Sequence, residues 1–200
     1  MKVIKVEPIG FASNSYILTA DNKTAVVIDP SEERILDILR LHNLECRYVL
    51  LTHGHFDHVG ACGVLYAAGT RIYCGEAEKD LIFSPANTEI FGGVYVPQFE
   101  ISRTLSDGEK FNLCGIDFTA IATPGHTKGG MCYLAGDCLF TGDTLFSRSI
   151  GRTDLPTGDY KTLIESVKKL FALSGNLKVY AGHGEDTSLD FERNNNPFIR

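Results

Sequence analysis

The sequence predicts an α/β fold built in layers, in which short strands alternate with helices. Short apolar runs separated by glycine and other turn residues occur in both halves of the chain and predict strands. Segments with apolar residues at helical spacing lie between these runs. The polar residues of interest follow the apolar runs directly, where loops on a rigid scaffold carry function. We expect residues 1–200 to form one domain, because this length suits a single hydrophobic core.

The first half of the chain predicts strands and short helices divided by turn residues. Asp21-Asn22 predicts a hairpin turn, Asp29-Pro30 ends the following strand, and Ser31 is a residue type that caps a helix N-terminus. The predicted strands are Lys2–Ile9, Ser15–Thr19, Thr24–Ile28, Arg47–Leu51 and Arg71–Cys74. The predicted helices are Glu32–His42, Val59–Ala68 and Glu76–Phe83.

The second half repeats this alternation. Glycine turns separate the predicted strands, which are Lys110–Leu113, Ile116–Thr123, Met131–Leu134, Cys138–Thr141 and Leu177–Ala181. Tyr160–Phe171 is predicted as an amphipathic helix, because its apolar residues recur every three or four positions. This helix is the clearest one in the sequence.

The irregular stretch Ser84–Phe99 lies between the two halves and is rich in glycine, proline and aromatic residues. It is interpreted as a loop beside a functional site. Phe91, Tyr95 and Phe99 would then either line a substrate groove or attach the loop to the core.

Composition argues against several classes of function. The chain has 19 basic and 25 acidic residues and a net charge of −6, so no overall positive field would attract nucleic acid. No apolar run is long enough to cross a bilayer, and Met1–Gly10 alternates like a strand. We therefore expect a cytoplasmic protein with neither a nucleic-acid nor a membrane partner. The six cysteines include no CxxC pair and are expected to be reduced, buried thiols.

The segment Thr52–His58 has the composition of a metal site. It contains His53, His55, Asp57 and His58, with a glycine that relaxes the backbone. His53 and His55 are two residues apart, so they point the same way in an extended backbone. Asp57 and His58 are adjacent and must diverge, so this one segment could serve two neighbouring ions.

Three further residues could complete a metal site. His126, Asp143 and His183 each lie in a glycine-containing turn directly after an apolar strand. Imidazole nitrogens combined with carboxylate oxygens suit zinc, and also iron or manganese.

At these positions the chain resembles the metallo-β-lactamase-fold hydrolases. The landmarks Asn14-Ser15-Tyr16 and Val27–Pro30 agree with the resemblance. It implies an α/β four-layer αβ/βα sandwich, with two mixed β-sheets packed together and helices outside. It also implies the metal ligands, which are His53, His55 and His126 for a first ion, Asp57, His58 and His183 for a second, and Asp143 as a bridge.

Within this family, the chain is similar to the short bacterial branch related to glyoxalase II, the hydroxyacylglutathione hydrolase. Asp143 stands where β-lactamases of this fold usually have cysteine, and Gly142–Phe146, Gly151–Asp154 and Gly182–Phe198 fit the glyoxalase-II-like branch. Glyoxalase II has an added C-terminal helical domain that helps to bind glutathione. Only a short segment follows His183 here, so we expect the glutathione site to be partly missing or rebuilt.

Arg152 falls where glyoxalase II has a basic substrate-binding residue. The resemblance implies that Arg152 contacts a substrate carboxylate, which a guanidinium can hold with two hydrogen bonds. The alternative is an internal ion pair with Asp154 or Asp159.

The resemblance implies a metal-dependent hydrolase, namely a dinuclear thioesterase acting on S-hydroxyacylglutathione or another small thioester through a metal-bridging hydroxide. Two zinc ions are expected, with iron or manganese as alternatives. Asp57 is a candidate proton acceptor, although its place among the ligands favours an orienting role. The alternatives are a mononuclear iron persulfide dioxygenase using His53, His126 and Asp143, a lactonase or phosphodiesterase on the same fold, and a non-catalytic zinc-stabilised module.

Overall fold

The computed structural model describes residues 1–85, 87 and 98–199. Within these residues, the strands form two six-stranded sheets and a separate two-stranded hairpin. In spatial order, the first sheet contains β1 (Lys2–Val6), β2 (Ser15–Thr19), β3 (Thr24–Ile28), β4 (Glu45–Leu50), β5 (Arg71–Gly75) and β6 (Ile101–Leu105). The second contains β14 (Thr187–Ser188), β13 (Lys178–Ala181), β10 (Cys138–Gly142), β9 (Met131–Ala135), β8 (Ile116–Ala122) and β7 (Lys110–Leu113). The hairpin pairs β11 (Leu145–Phe146) with β12 (Ser149–Ile150).

Helices cover the outer faces of both sheets. The helices are α1 (Ile35–Leu41), α2 (Phe56–Val59), α3 (Cys62–Ala67), α4 (Glu78–Ile82), α5 (Tyr160–Phe171) and α6 (Leu189–Asn195). Residues of α1 to α4 pack with the first sheet in one apolar core, and residues of α5 and α6 pack with the second sheet in another. A third core lies between the sheets. This order of layers confirms the predicted four-layer sandwich.

Strand residues are buried on both faces because each sheet lies between two layers. On β2, Tyr16 and Leu18 enter the core between the sheets, whereas Ile17 enters the core under the helices. Successive side chains of a strand point to opposite faces, so this alternation follows from the pleat. Continuous apolar strands such as β3 are therefore required, since a polar side chain on either face would be buried.

Strand direction places several strand ends at the same rim of the sandwich. β3, β4, β5 and β6 are parallel neighbours. In the second sheet, β10 is parallel to β13 and antiparallel to β9, and β9 is antiparallel to β8. The carboxyl ends of β8, β10 and β13 therefore lie on one side, and the loops that follow them are neighbours.

Several local predictions were wrong. The predicted helix Glu32–His42 begins only at Ile35, and Ser31 does not cap it. Ser31 is buried, and its hydroxyl donates to the main-chain carbonyl of Ser13 at 2.8 Å. Its side chain therefore stabilises the loop before β2, a contact that a local pattern does not reveal.

Other segments differ in their boundaries or were not predicted. The predicted helix Val59–Ala68 corresponds to α3, which begins only at Cys62, and Val59 is the last residue of the separate helix α2. Strand β6 and helix α6 were missed, because both are short and lie among polar residues. Phe99 is buried in the core of the first sheet, where its ring centroid lies 5.0 Å from that of Phe83. The other two predicted groove residues, Phe91 and Tyr95, lie outside the described residues.

Two further findings concern the cysteines and the length of the helices. All six cysteines are unpaired, and four of them are buried. In the described part of the chain, no helix has both the length and the apolar character that a membrane span needs.

Two tyrosine hydroxyls join the sheets close to the rim. Tyr16 of β2 donates to the carbonyl of Ala181 at 2.6 Å, and Tyr133 of β9 donates to the carbonyl of Leu51 at 2.7 Å. Burial raises the pKa of both hydroxyls, so both keep the proton that they donate. Each bond anchors the end of a strand that leads into a loop of the rim.

We predict that Tyr133→Phe lowers the free energy of unfolding by about 1–2 kcal/mol, because a buried hydrogen bond is lost without a change in volume. Urea denaturation measures this change. Tyr160→Phe is the control, since Tyr160 is 52% exposed at the start of α5 and should change stability little. Equal effects of the two substitutions would contradict the prediction.

Candidate metal centre

Four neighbouring segments at the rim carry the candidate ligands, and each follows the end of a strand. The first segment follows β4 and includes the start of α2, and the others follow β8, β10 and β13. In chain order they carry His53, His55, Asp57 and His58, then His126, then Asp143, then His183. The structure brings all seven residues into one cluster, although they are spread over the chain.

His53, His55 and His126 form a first group, in which one nitrogen from each ring lies within 4.8 Å of the others. His126 Nε2 is 2.9 Å from His55 Nδ1. On the other side of its ring, His126 Nδ1 lies 2.7 Å from the main-chain carbonyl of Arg152. A carbonyl only accepts, so Nδ1 carries the proton and Nε2 keeps a lone pair for a metal.

Asp57, His58 and His183 form a second group with the same spacing limit of 4.8 Å. Asp57 Oδ2 is 3.2 Å from His183 Nε2 and 3.8 Å from His58 Nε2. The His58 side chain is fully buried, whereas that of His183 is 38% exposed. This group therefore reaches from the interior to the surface of the cluster.

Asp143 lies between the two groups. Its Oδ1 is 3.4 Å from His58 Nε2, and its Oδ2 is 3.6 Å from both His126 Nε2 and His183 Nε2. The adjacent loop can approach it only because residue 182 is glycine. A β-carbon at Gly182 would collide with Asp143 Oδ1 and the His58 ring. Asp143 thus stands where the resemblance places a bridging ligand.

Unpartnered buried atoms show that the cluster suits a cation. Among the described residues, His53 Nε2, His58 Nε2 and Asp143 Oδ1 are buried without a hydrogen-bond partner. These three residues also form a group whose ligand atoms lie within 4.8 Å of one another. Each unpartnered atom costs about 1–3 kcal/mol of stability. Imidazole nitrogens and carboxylate oxygens are ligands of zinc, iron and manganese, so the residues present fit a divalent metal.

Two rings of the first group, His53 and His55, are neutral. Burial and the neighbouring imidazoles of His58 and His126 lower the pKa of His53 well below its usual value. Burial, with His126 close by, lowers the pKa of His55 to about 3. Both rings therefore keep the unprotonated form, which is the form that binds a metal.

In the second group, protons compete with a metal for the histidine rings. Burial disfavours the charged form of His58, but the carboxylates of Asp57 and Asp29 raise its pKa well above the usual value. Burial also opposes the charge on His183, and a hydrogen bond with Asp57 and the charge of Asp143 raise its pKa. Despite burial, which acts the other way, the charge of His58 keeps the pKa of Asp143 below its usual range. The carboxylates thus require a positive charge here, which either a proton or a metal can supply.

Sequence analysis did not identify Asp29 as a functional residue. Asp29 lies at the end of β3 and is buried, with a left-handed φ of 49°. Its Oδ1 accepts from the main-chain N–H of Thr52 at 2.7 Å, and its Oδ2 accepts from the Thr52 hydroxyl at 2.6 Å. The same Oδ2 is 2.9 Å from His58 Nδ1. Asp29 therefore orients the His58 ring and the start of the ligand loop. Its position directly after a strand was the available signal.

Glu78 was also missed. It lies at the start of α4 and is fully buried. Its Oε2 accepts from the main-chain N–H of Gly54 at 2.7 Å, and its Oε1 accepts from the N–H of Gly129 at 2.8 Å and from the Thr127 hydroxyl. Gly54 lies between two candidate ligands, and Thr127 follows another. One carboxylate therefore connects the ligand loops of the two sheets.

A cavity of about 610 Å³ opens over the cluster. Arg152 lies on its wall, and its Nε and Nη2 donate to the two carboxylate oxygens of Asp154 at 2.7 Å each. The predicted ion pair with Asp154 is therefore present. Asp159 is not the partner, because it caps α5 by accepting from the N–H of Thr162. The predicted contact between Arg152 and a substrate stays a prediction.

Comparison with known proteins identifies the family. The family model of the metallo-beta-lactamase superfamily matches residues 8–183. The chain belongs to the metallo-β-lactamase superfamily. A relative from Haemophilus influenzae named hydroxyacylglutathione hydrolase GloC is 38% identical, covering 98% of this chain and 97% of its own. The chain is accordingly a metallo-hydrolase of this superfamily, whose members bind divalent metals.

Two solved structures show the same superfamily fold along the whole chain. The BLEG-1 B3 metallo-beta-lactamase has a TM-score of 0.92 and 31% identity, covering 99% of each chain. TTHA1623, solved in a di-iron-bound form, has a TM-score of 0.84 and 31% identity, covering 100% of each chain.

We predict that acidification removes metal from the second group first. The pKa values of His58 and His183 are raised, so a metal must displace protons there, and its affinity falls as the pH falls. His53 and His55 stay neutral to lower pH. Metal content after dialysis from about pH 8 to about pH 5 should therefore fall to about one equivalent, and the remaining metal should be lost only at lower pH. Simultaneous loss of all the metal would contradict the prediction.

We predict that Glu78→Gln weakens metal binding by roughly 10–100-fold, the range found for residues that hold metal ligands in place. The amide keeps the shape but turns one acceptor into a donor, which then faces a main-chain N–H. Competition with a metal-binding dye measures the affinity. Glu76→Gln is the matched control, because Glu76 is two residues away and exposed. Equal affinity in the two variants would overturn this role.

Proposed function

We propose that the protein is a dinuclear thioesterase that hydrolyses S-hydroxyacylglutathione or a related small thioester. The observation that carries this proposal is the pairing of two adjacent ligand groups with one carboxylate between them. Similarity to the relative named hydroxyacylglutathione hydrolase supports the thioester class. A closed structural zinc site needs only four ligands, so seven converging donors favour catalysis.

The ligands are assigned by their grouping. His53, His55 and His126 would hold one ion, Asp57, His58 and His183 would hold the other, and Asp143 would bridge them. Two divalent ions, when bound, supply Lewis acidity that polarises a carbonyl oxygen and make hydroxide available near neutral pH. Zinc is the proposed metal. Iron is the alternative, since TTHA1623 was solved with two iron ions.

Neighbouring residues support this chemistry by fixing the orientation of the ligand rings. Asp29 holds the His58 ring, and the carbonyl of Arg152 holds the His126 ring, so both rings present Nε2 to the cluster. Burial raises the pKa of Asp57, but the charge of His58 and a hydrogen bond from His183 together bring the pKa below its usual value, so Asp57 is a carboxylate at neutral pH. Asp57 is therefore proposed to orient ligands and not to accept a proton. A thiolate departs readily, so no separate strong acid is required.

The cysteines support a cytoplasmic location. All six are free thiols in the structure. Reducing compartments keep cysteines in this state, and exported proteins of this size often pair them.

The first experiment measures metal content and thioester hydrolysis together. The purified protein should hold about two equivalents of metal and hydrolyse S-lactoylglutathione without consuming oxygen. Asp143→Ala should lower activity and metal content together, with a loss of at least 10–100-fold in activity or affinity. Asp137→Ala is the control, because Asp137 is exposed on the turn between β9 and β10.

Different results would favour the other candidates. One equivalent of iron, oxygen consumption, and indifference of metal binding to substitution of His183 would identify a mononuclear iron dioxygenase. Hydrolysis of lactones or phosphodiesters, with no thioester turned over, would identify another hydrolase on this fold.

A further inference from the structure

The walls of the cavity above the ligand cluster are apolar. Besides the candidate ligands and Arg152, the described residues that line it are Phe11, Phe56, Phe146, Ile150 and Leu155. They come from separate segments, which are the loop before β2, the start of α2, the hairpin β11–β12 and the loop after it. A cavity of about 610 Å³ has the size of a small-molecule site, in which apolar walls supply binding energy.

Phe11 is the most unusual member of this wall, because its side chain is 92% exposed. The loop that carries it is nevertheless attached to the metal centre. The N–H of Ser13 donates to the carbonyl of Asp57 at 3.1 Å, and the N–H of Asn14 donates to the carbonyl of Gly182 at 2.7 Å. Phe11 is thus held beside the cluster with its ring in water, where a bound apolar group would cover it.

Basic side chains are scarce on the walls of the same cavity. Among the described lining residues, Arg152 is the one lysine or arginine, and both carboxylate oxygens of Asp154 already neutralise it. A peptidic thiol such as glutathione carries two carboxylates and an ammonium group. On these walls, those carboxylates would find no free basic side chain as a partner.

We propose that the cleft selects thioesters with an aromatic or hydrocarbon acyl group and with a thiol part that has little charge. This inference rests on the proposed thioesterase function and specifies its substrate class. In the reaction, water adds to the carbonyl carbon, the C–S bond breaks, and a carboxylic acid and a thiol are released. Phe11, Phe56 and Phe146 would contact the apolar group. Because Arg152 is already paired with Asp154, binding would not require a charged group on the thiol part.

Four matched thioesters test the inference with the metal-loaded protein. Lactoyl and phenyllactoyl groups are each attached to glutathione and to N-acetylcysteamine, and kcat/KM is measured. The phenyl group should raise kcat/KM by roughly tenfold or more, as expected for burying a ring. The N-acetylcysteamine esters should be hydrolysed at least as well as the glutathione esters. A tenfold preference for glutathione, or no gain from the phenyl group, would overturn the inference and leave the thioesterase function intact.

Two variants test the role of the wall. Phe11→Ala should remove most of the gain from the phenyl group, measured within the variant as the ratio of kcat/KM for the phenyllactoyl ester to that for the lactoyl ester. Phe198→Ala is the matched control, because Phe198 is an exposed phenylalanine that does not line the cavity. Similar phenyl gains in the two variants would overturn the assignment of Phe11.

A binding measurement separates this inference from the proposed reaction. Thioether analogues, in which a methylene replaces the carbonyl and which cannot be hydrolysed, are titrated into the metal-loaded protein by calorimetry. The phenyl-bearing N-acetylcysteamine analogue should bind about tenfold more tightly than its lactyl counterpart, and Phe11→Ala should abolish the difference. If the analogues bind in this way but no thioester is hydrolysed, the proposed function is contradicted and the inference about the apolar wall is not. Equal binding of the two analogues would contradict the inference.

Discussion

The carboxylate of Asp29 is the interaction on which the order of the metal centre depends. It accepts two hydrogen bonds from Thr52 and contacts His58, so the end of β3 holds both the start of the ligand loop and a ring at its other end. Glu78 then connects Gly54 of this loop to Thr127 beside His126, across the two sheets. Two buried acids therefore position ligands that a flexible loop alone would leave spread over many conformations.

The sandwich makes such buried acids tolerable. Both faces of the central strands are covered, so strand interiors must be apolar, and polar groups are confined to the rims. At the rim, main-chain N–H groups released from the sheets are available as donors, and the acids use them. The ligand cluster thus lies at the rim where the strand hydrogen bonding of both sheets ends. Main-chain N–H groups that have no strand partner there bond to the acids and so help to support the cluster.

Much of this arrangement could be predicted from the sequence. The spacing of His53, His55, Asp57 and His58 indicates a metal site, and three more polar residues after apolar strands complete the seven members of the cluster. Asp29 also follows an apolar strand directly, but nothing else in the sequence distinguished it, and Glu78 carried no such signal. Each resembles an ordinary surface acid in sequence, and its role depends on contacts with residues 23 to 51 positions away. The predicted start of α1 was wrong for the same reason, because Ser31 makes its hydrogen bonds with Ser13 and Ser15, which are distant in sequence.

Arg152 serves the site with two independent parts of one residue. Its main-chain carbonyl fixes the His126 ring, whereas its side chain extends along the cavity wall to Asp154. Mutation alters the second part and spares the first, since every amino acid carries the same carbonyl. Position 152 is therefore free to vary during evolution without disturbing the tautomer of His126. Divergence of substrate preference can proceed here while the reactive centre stays constant, which suits a scaffold that is reused for many substrates.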